Sequence, residues 1–438
     1  MTRVEDETPV RAPDRGRLAG LDGLRGLAAL YVLLFHCWLL TYPGFPTNHG
    51  PAWLGWLLYG HLAVVFFLVV SGFSLAVGPA RHGWRLSGGP SLFARRRAWR
   101  ILPPYWAALV FSLVVAWAVT PQPHSVAPTA RTVAVYGLLL QDLAVAPTPN
   151  GTFWSIAVEA ELYVVFPLLL LLRRRLGAAV LLAVATVPVI VAALLLPSLP
   201  GVPPVDKLSG LTPQLAPLFA LGVAGAGVLV ARERVRRLPW HWLAALAALP
   251  VVVLAASAGT VWTVRHYFWV DLAIGPAMVL LLVAVTTGRP ALLVRLLDTR
   301  LVRGLGTFSY SLYLIQLPIV VVVSRVVKGH HLVPDGLPTF ALTLAVAVPL
   351  TLSLARLFAA VFEIPFQRHR GWPYGSARRA SAAHRRHYRA GLRLGAVVAR
   401  APVRRPDHDL RNHRTPRAPG PGRPPRWLRW SSPTRPGL

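Results

Sequence analysis

Residues 21–42 read LDGLRGLAALYVLLFHCWLLTY, and this stretch decides the fold. It is apolar enough to cross a bilayer as one helix, yet it carries Arg25 near its start and His36 in its far half. Ionisable groups at membrane depth are costly, and they mark function when they persist. Eleven residues at about 100° each return to within roughly 20° of the starting direction, so Arg25 and His36 share one helix face, about 16 to 17 Å apart along the axis. Cys37 is turned about 100° from His36, which argues against a cysteine–histidine nucleophile pair. The segments before it are polar and no small-residue cleavage site follows it, so it reads as a retained signal anchor.

The rest of the chain extends this reading. Its 438 residues are 54% hydrophobic and 14% charged, and the mean hydropathy is +0.51. That composition is expected of an integral membrane protein. A formal charge of +30 suggests nucleic acid in a soluble protein. Here the basic residues fall between apolar runs and in a C-terminal stretch, so the lipid bilayer is the expected partner and nucleic acid is not. One cysteine excludes a disulfide framework or a cysteine-based metal site. The high arginine, alanine and proline usage resembles that of a GC-rich bacterial genome.

Apolar runs at 24–42, 53–77, 104–119, 153–172, 178–196, 211–231, 240–258, 267–285, 305–323 and 337–362 predict an all-α polytopic membrane protein with about ten transmembrane helices. Arginine-rich loops at 81–100, 173–175, 232–237 and 289–303 alternate with loops poor in Lys and Arg, which predicts a cell-membrane protein with both termini cytoplasmic. Residues 132–143 form a further apolar piece, expected to be interfacial or re-entrant. The predicted organisation is a cytoplasmic segment at 1–20, a membrane-embedded domain at 21–370, and an Arg/Pro-rich disordered cytoplasmic tail at 371–438.

With this topology His36 and Glu159 lie at similar depths, about 9 Å below the outer boundary, and are expected to meet. Ser155, Glu159 and Tyr163 recur at i, i+4 and i+8 and form one polar stripe, whereas Glu161 is rotated about 200° from Glu159. A histidine oriented by a carboxylate suits general-base chemistry, and it also suits a proton relay in a transporter. At the inner face, FARRRAWRILPPYW at 93–106 supplies Arg96, Arg97 and Arg100, either as a positive-inside anchor or as a phosphate site completed by Arg25. LGTFSYSLYLIQLPI at 305–319 brings Ser309, Tyr310, Tyr313 and Gln316, with Gln316 near the depth of His36. Gly72, beside Ser71 in FFLVVSGF, reads as a close-packing site between helices, and Asp142 lies in an outer loop.

Taken together, LDGLRGLAALYVLLFH, FFLVVSGF, RRAWRILPPYW, FWSIAVEAELYVVFPLLL, LGTFSYSLYL and EIPFQR resemble, in order and topology, the acyltransferase 3 family of multipass membrane O-acyltransferases. The resemblance spans about residues 21–370. It implies transfer of an acyl group, often acetyl, from cytoplasmic acyl-coenzyme A as co-substrate to a hydroxyl of a carbohydrate or glycosylated metabolite, with no bound cofactor and no metal. It implies His36 as the essential histidine, Arg25 as its paired arginine, Arg96, Arg97 and Arg100 as the inner basic motif and Glu159 as the acidic residue; with the geometry above, Glu159 is expected to orient His36 and the four arginines to bind the donor. Trp154, Ser155, Tyr163, Tyr313 and Gln316 are expected to bind substrate, and Glu363 with Arg368 is the implied closing motif. Direct transfer with His36 as base and an acyl-histidine intermediate are both open. Gln316 stands where the family often has histidine, Glu161 where an amide is common, and the hydrolase-like domain fused to some members is not expected. The competing reading is a proton-coupled transporter or flippase of a glycan or lipid-linked substrate.

Overall fold

The structure is a computed structural model that describes residues 18–123, 125–195 and 212–368. Residues 1–17 and the tail at 371–438 lie outside the described residues, so the disorder expected of that tail does too. Among the described residues there is no strand, and eight helices are long and apolar enough to cross a membrane. The principal helices are α1 (Leu21–Thr41), α2 (His61–Arg81), α3 (Gly89–Ala118), α4 (Ala130–Gly137), α5 (Trp154–Leu195), α6 (Leu215–Ala226), α7 (Trp240–Arg265), α8 (Tyr267–Thr286), α9 (Ser309–Gly329) and α10 (Leu337–Phe358).

Three differences from the apolar pattern matter. The fourth and fifth runs form one helix, α5, broken at Gly177, where φ is 90°. A glycine takes that left-handed angle without the steric cost a side chain would add. The sixth run is a short helix, α6, extended by a 3-10 turn at Gly227–Val230. That is short for a span and fits a helix buried among others, since Leu215, Leu218, Phe219, Ala220 and Val223 have no exposure. The third helix begins at Gly89 rather than near residue 104 and runs through Pro103 and Pro104. The arginine cluster is therefore on the helix itself, and helical rotation separates its members.

Two apolar clusters make up the core. Trp38, Tyr105, Phe153 and Leu312 anchor one around α1, α3, α9 and α10; Phe73, Phe166, Phe219 and Leu282 anchor the other around α2, α5, α6 and α8. Lipid-like surroundings give helices little hydrophobic reason to associate, so close approach of backbones has to supply it. Gly72 and Gly222 provide that approach between α2 and α6: a Cβ on Gly72 would lie 2.2 Å from the Phe219 carbonyl oxygen, and one on Gly222 2.2 Å from that of Val69. At the start of α1, Gly23 and Gly26 do the same against Leu297 and the short helix Arg300–Thr307. Residues of both clusters meet around Arg25, Ser71, Arg97 and Glu159, which forms a seam between them.

Candidate active site

Two cavities open along that seam. The first, the basic cavity, is lined by Arg25 from α1, Ser71 and Ser74 from α2, Arg97 and Arg100 from α3, Ser155, Glu159 and Tyr163 from α5, and Tyr310 and Tyr313 from α9. The α5 stripe faces it as the spacing requires, and Glu161 is exposed on another side. Ser71 Oγ donates to Glu159 Oε1 at 2.7 Å, the Tyr163 hydroxyl donates to the same oxygen, and Ser71 and Tyr163 are 3.0 Å apart. The Arg97 guanidinium lies 5.7 Å from the Phe93 ring centroid and 5.9 Å from that of Tyr163, within cation–π range. Arg25 is within electrostatic reach of both Arg100 and Glu159, and its buried Nε has no hydrogen-bond partner. Three guanidinium groups against one carboxylate leave this cavity net positive. Arg96 is exposed and does not line it, because one residue of helix turns it about 100° from Arg97.

The second, the imidazole cavity, is lined by Phe35 and His36 from α1, Phe45, His61 and Val64, Gly151, Thr152 and Trp154, and Tyr267 and Tyr313. Gln316 and the Val32 carbonyl are the neighbours of the His36 ring, although His36 Nδ1 and both Gln316 amide atoms make no hydrogen bond of normal geometry. The expected meeting of His36 and Glu159 is not found. They line different cavities, and Glu159 is bonded to Ser71 and Tyr163 instead. The carboxylate-paired histidine of this cavity is His61, whose Nε2 lies 2.9 Å from Asp271 Oδ2. Asp271 has no exposure, and Gln214 donates to the same oxygen at 3.5 Å. The His61 ring is stacked with Tyr267, centroids 4.1 Å apart and planes at 21°, and with Trp154 at 5.9 Å and 14°.

The two cavities share Tyr313 and Val64. The Tyr313 hydroxyl is 2.7 Å from Ser155 Oγ and donates to the Thr152 carbonyl at 3.0 Å. Asn150 secures that loop: its Oδ1 accepts from the Thr152 amide at 3.0 Å and the Thr152 hydroxyl at 2.8 Å, while its Nδ2 donates to the Leu314 carbonyl at 2.9 Å and to Ser112 Oγ at 3.2 Å. Beyond α10 a π turn at Ala359–Glu363 brings Glu363 under α9, where it accepts from the Ser311 hydroxyl at 2.6 Å. The Arg368 side chain lies outside the described residues. In the loop after α4, burial and then the Glu161 charge push the Asp142 carboxyl up to about 7.

The sequence profile described as an acyltransferase domain matches residues 18–356. The chain belongs to the acyltransferase 3 family. The match covers both cavities and every lining residue named above, and it establishes acyl transfer as the family's chemistry. No curated protein and no solved structure matches the chain significantly. His61, Asp271 and Asn150 escaped the sequence reading. The first two were detectable by the rule that singled out His36, since each is an ionisable residue inside an apolar run.

Proposed function

We propose that this acyltransferase is an acyl-coenzyme A dependent O-acyltransferase of the cell membrane, with the basic cavity facing the cytoplasm as the donor site and the imidazole cavity as the acceptor site. The observation that carries the reading is the shared wall: a cationic cavity and a histidine-lined cavity meet at Tyr313 and Val64. Arg25, Arg97 and Arg100 suit the phosphates of coenzyme A, because guanidinium groups form charge-assisted, often bidentate bonds to phosphate oxygens. Along α1, His36 is about 16 to 17 Å from Arg25, a separation the pantetheine arm of the donor has to bridge.

The acceptor hydroxyl, on a carbohydrate or glycosylated metabolite, attacks the carbonyl carbon of the thioester, which carries an acetyl group. The C–O bond forms as the C–S bond breaks, His36 receives the hydroxyl proton, and the coenzyme A thiolate leaves on the donor side. Glu159 is assigned to the donor side as well: hydrogen-bonded by Ser71 and Tyr163, it is the counter-charge that keeps Arg25 and Arg100 from repelling each other. The test is an O-acyl transfer assay in membranes with radiolabelled acetyl-coenzyme A, comparing wild type with His36→Ala and Arg25→Ala at matched expression. Loss of label transfer in both supports the reading. Equal transfer by wild type and variants sinks it, and substrate uptake into vesicles without any transfer favours a transporter.

A further inference from the structure

We propose that His61, held by Asp271, positions the acceptor by accepting a hydrogen bond from a second hydroxyl, next to the one that reacts. This inference rests on the acyltransferase reading above. It assigns the imidazole cavity to sugars and other polyols rather than to simple alcohols.

The argument starts from what the His61 ring has left to offer. Its Nε2 is engaged by Asp271, and its ring is stacked with those of Tyr267 and Trp154. In the neutral imidazole a carboxylate beside one ring nitrogen holds the single proton on that nitrogen, which leaves the other as the acceptor. Nδ1 is therefore a fixed acceptor on a ring that cannot rotate without breaking the Asp271 contact and unstacking two aromatic neighbours. His61 lines the cavity that also holds His36, so a ligand there meets two imidazoles. The rest of the wall is mostly apolar and aromatic, with Phe35, Phe45 and Trp154. Ring faces with a few fixed polar groups suit a sugar, whose hydroxyls alternate with C–H surface.

A histidine–carboxylate contact serving helix packing alone would not need its histidine open to a cavity. Asp271 is fully buried on α8, while His61 keeps 17% of its side-chain surface exposed at the start of α2. The buried member holds and the open member binds. No bond is made or broken at His61; it is a positioning residue, and His36 takes the proton of the reacting oxygen.

The test uses the full-length protein in native membranes with labelled acetyl-coenzyme A, and a panel of methyl glycosides set against cyclohexanol. Wild type is expected to show a glycoside KM at least about tenfold below that for cyclohexanol, a single hydrogen bond being worth about that factor. His61→Ala and Asp271→Asn should each raise the glycoside KM about tenfold while kcat, the cyclohexanol KM and the acetyl-coenzyme A KM change by less than about twofold. His61→Gln, which keeps a donor for Asp271 and an acceptor for the hydroxyl, should recover most of the loss. An unchanged donor KM also reports an intact fold; where His61→Ala fails to fold, His61→Gln and Asp271→Asn carry the comparison. Unaltered glycoside KM in the variants, or kcat lost at unaltered KM, overturns the proposal. Equal wild-type KM for glycosides and cyclohexanol, or labelling of an endogenous acceptor without any glycoside transfer, overturns it too and leaves the acyltransferase reading standing. No transfer to any acceptor is failure of that reading itself.

Discussion

Replacing Gly72 by alanine gives a steric prediction with a control in the same helix. The new Cβ would lie 2.2 Å from the Phe219 carbonyl oxygen, 3.0 Å from its carbon and 3.3 Å from its Cα, all backbone atoms that no rotamer change can move. Normal C···O contact is near 3.3 Å, so α2 and α6 must part by about 1 Å, and overpacking of that kind costs about 3 kcal/mol. Gly78, on the same helix, has nothing within 4 Å of its would-be Cβ, and alanine there should stabilise by about 0.5–1 kcal/mol. Cys37 is the only cysteine and has no exposure, so a thiol-reactive fluorogenic dye reports unfolding of the purified protein in detergent. The Gly72→Ala midpoint should fall by about 5 °C or more while that of Gly78→Ala holds or rises. Acyl transfer should fall as well, because Ser71, the next residue, makes a 2.7 Å bond to Glu159 that a shift of 1 Å breaks. Equal midpoints for Gly72→Ala and wild type would refute the close-packing argument.

Arg100→Ala should raise the KM for acetyl-coenzyme A about tenfold or more, a charge-assisted bond to phosphate being worth about 1.5–3 kcal/mol, whereas exposed Arg96→Ala should change it by less than about twofold; steady-state kinetics in membranes separates the two. Asn150→Ala removes the partner of the Leu314 carbonyl and of both Thr152 donors at a site without exposure, and should lower stability by about 2–4 kcal/mol, read by the same thiol dye. Tyr313→Phe removes a hydroxyl bonded to Ser155 and Thr152 and should cost about 1–2 kcal/mol, with reduced transfer in the radiolabel assay. Asp142 is held up to about 7 from 3.8, so the folded state binds its proton more tightly than the unfolded chain; stability from this group is full below about pH 4 and is lost as pH rises to about 7. Asp142→Asn should flatten that part of the stability profile, and thermal midpoints at pH 5 and 8 check it.

What the chain shows directly is set by one-dimensional rules. Periodicity within a helix put Ser155, Glu159 and Tyr163 on one face, and they do face one cavity. A small residue in an apolar helix marked Gly72, and a backbone carbonyl does press on it. Counting along an axis also gave His36 and Glu159 similar depths, but depth does not say which helices are neighbours. Here α1 and α5 each pack on α2, which lies between them, so equal depth led to different cavities. Arg96 stands apart from Arg97 and Arg100 for another reason. A loop would let the three arginines point together, and on a continuous α3 the direction of Arg96 differs. His61 and Asp271 are 210 residues apart, and nothing local pairs them.

Tyr313 sets a condition on the membrane as a whole. Two cavities that share a wall are one side chain away from being one, and a chain with membrane-spanning helices has to avoid a continuous wet path along its core. Where the two cavities meet, Tyr313 stands in the wall of both beside Val64, and its hydroxyl is already committed to Ser155 and Thr152, so it has little left with which to recruit a file of water. The two cavities are thus separated by little more than Tyr313 and Val64, so that losing the phenol ring would tend to merge two chemically distinct spaces, one cationic and one lined by imidazoles, into one.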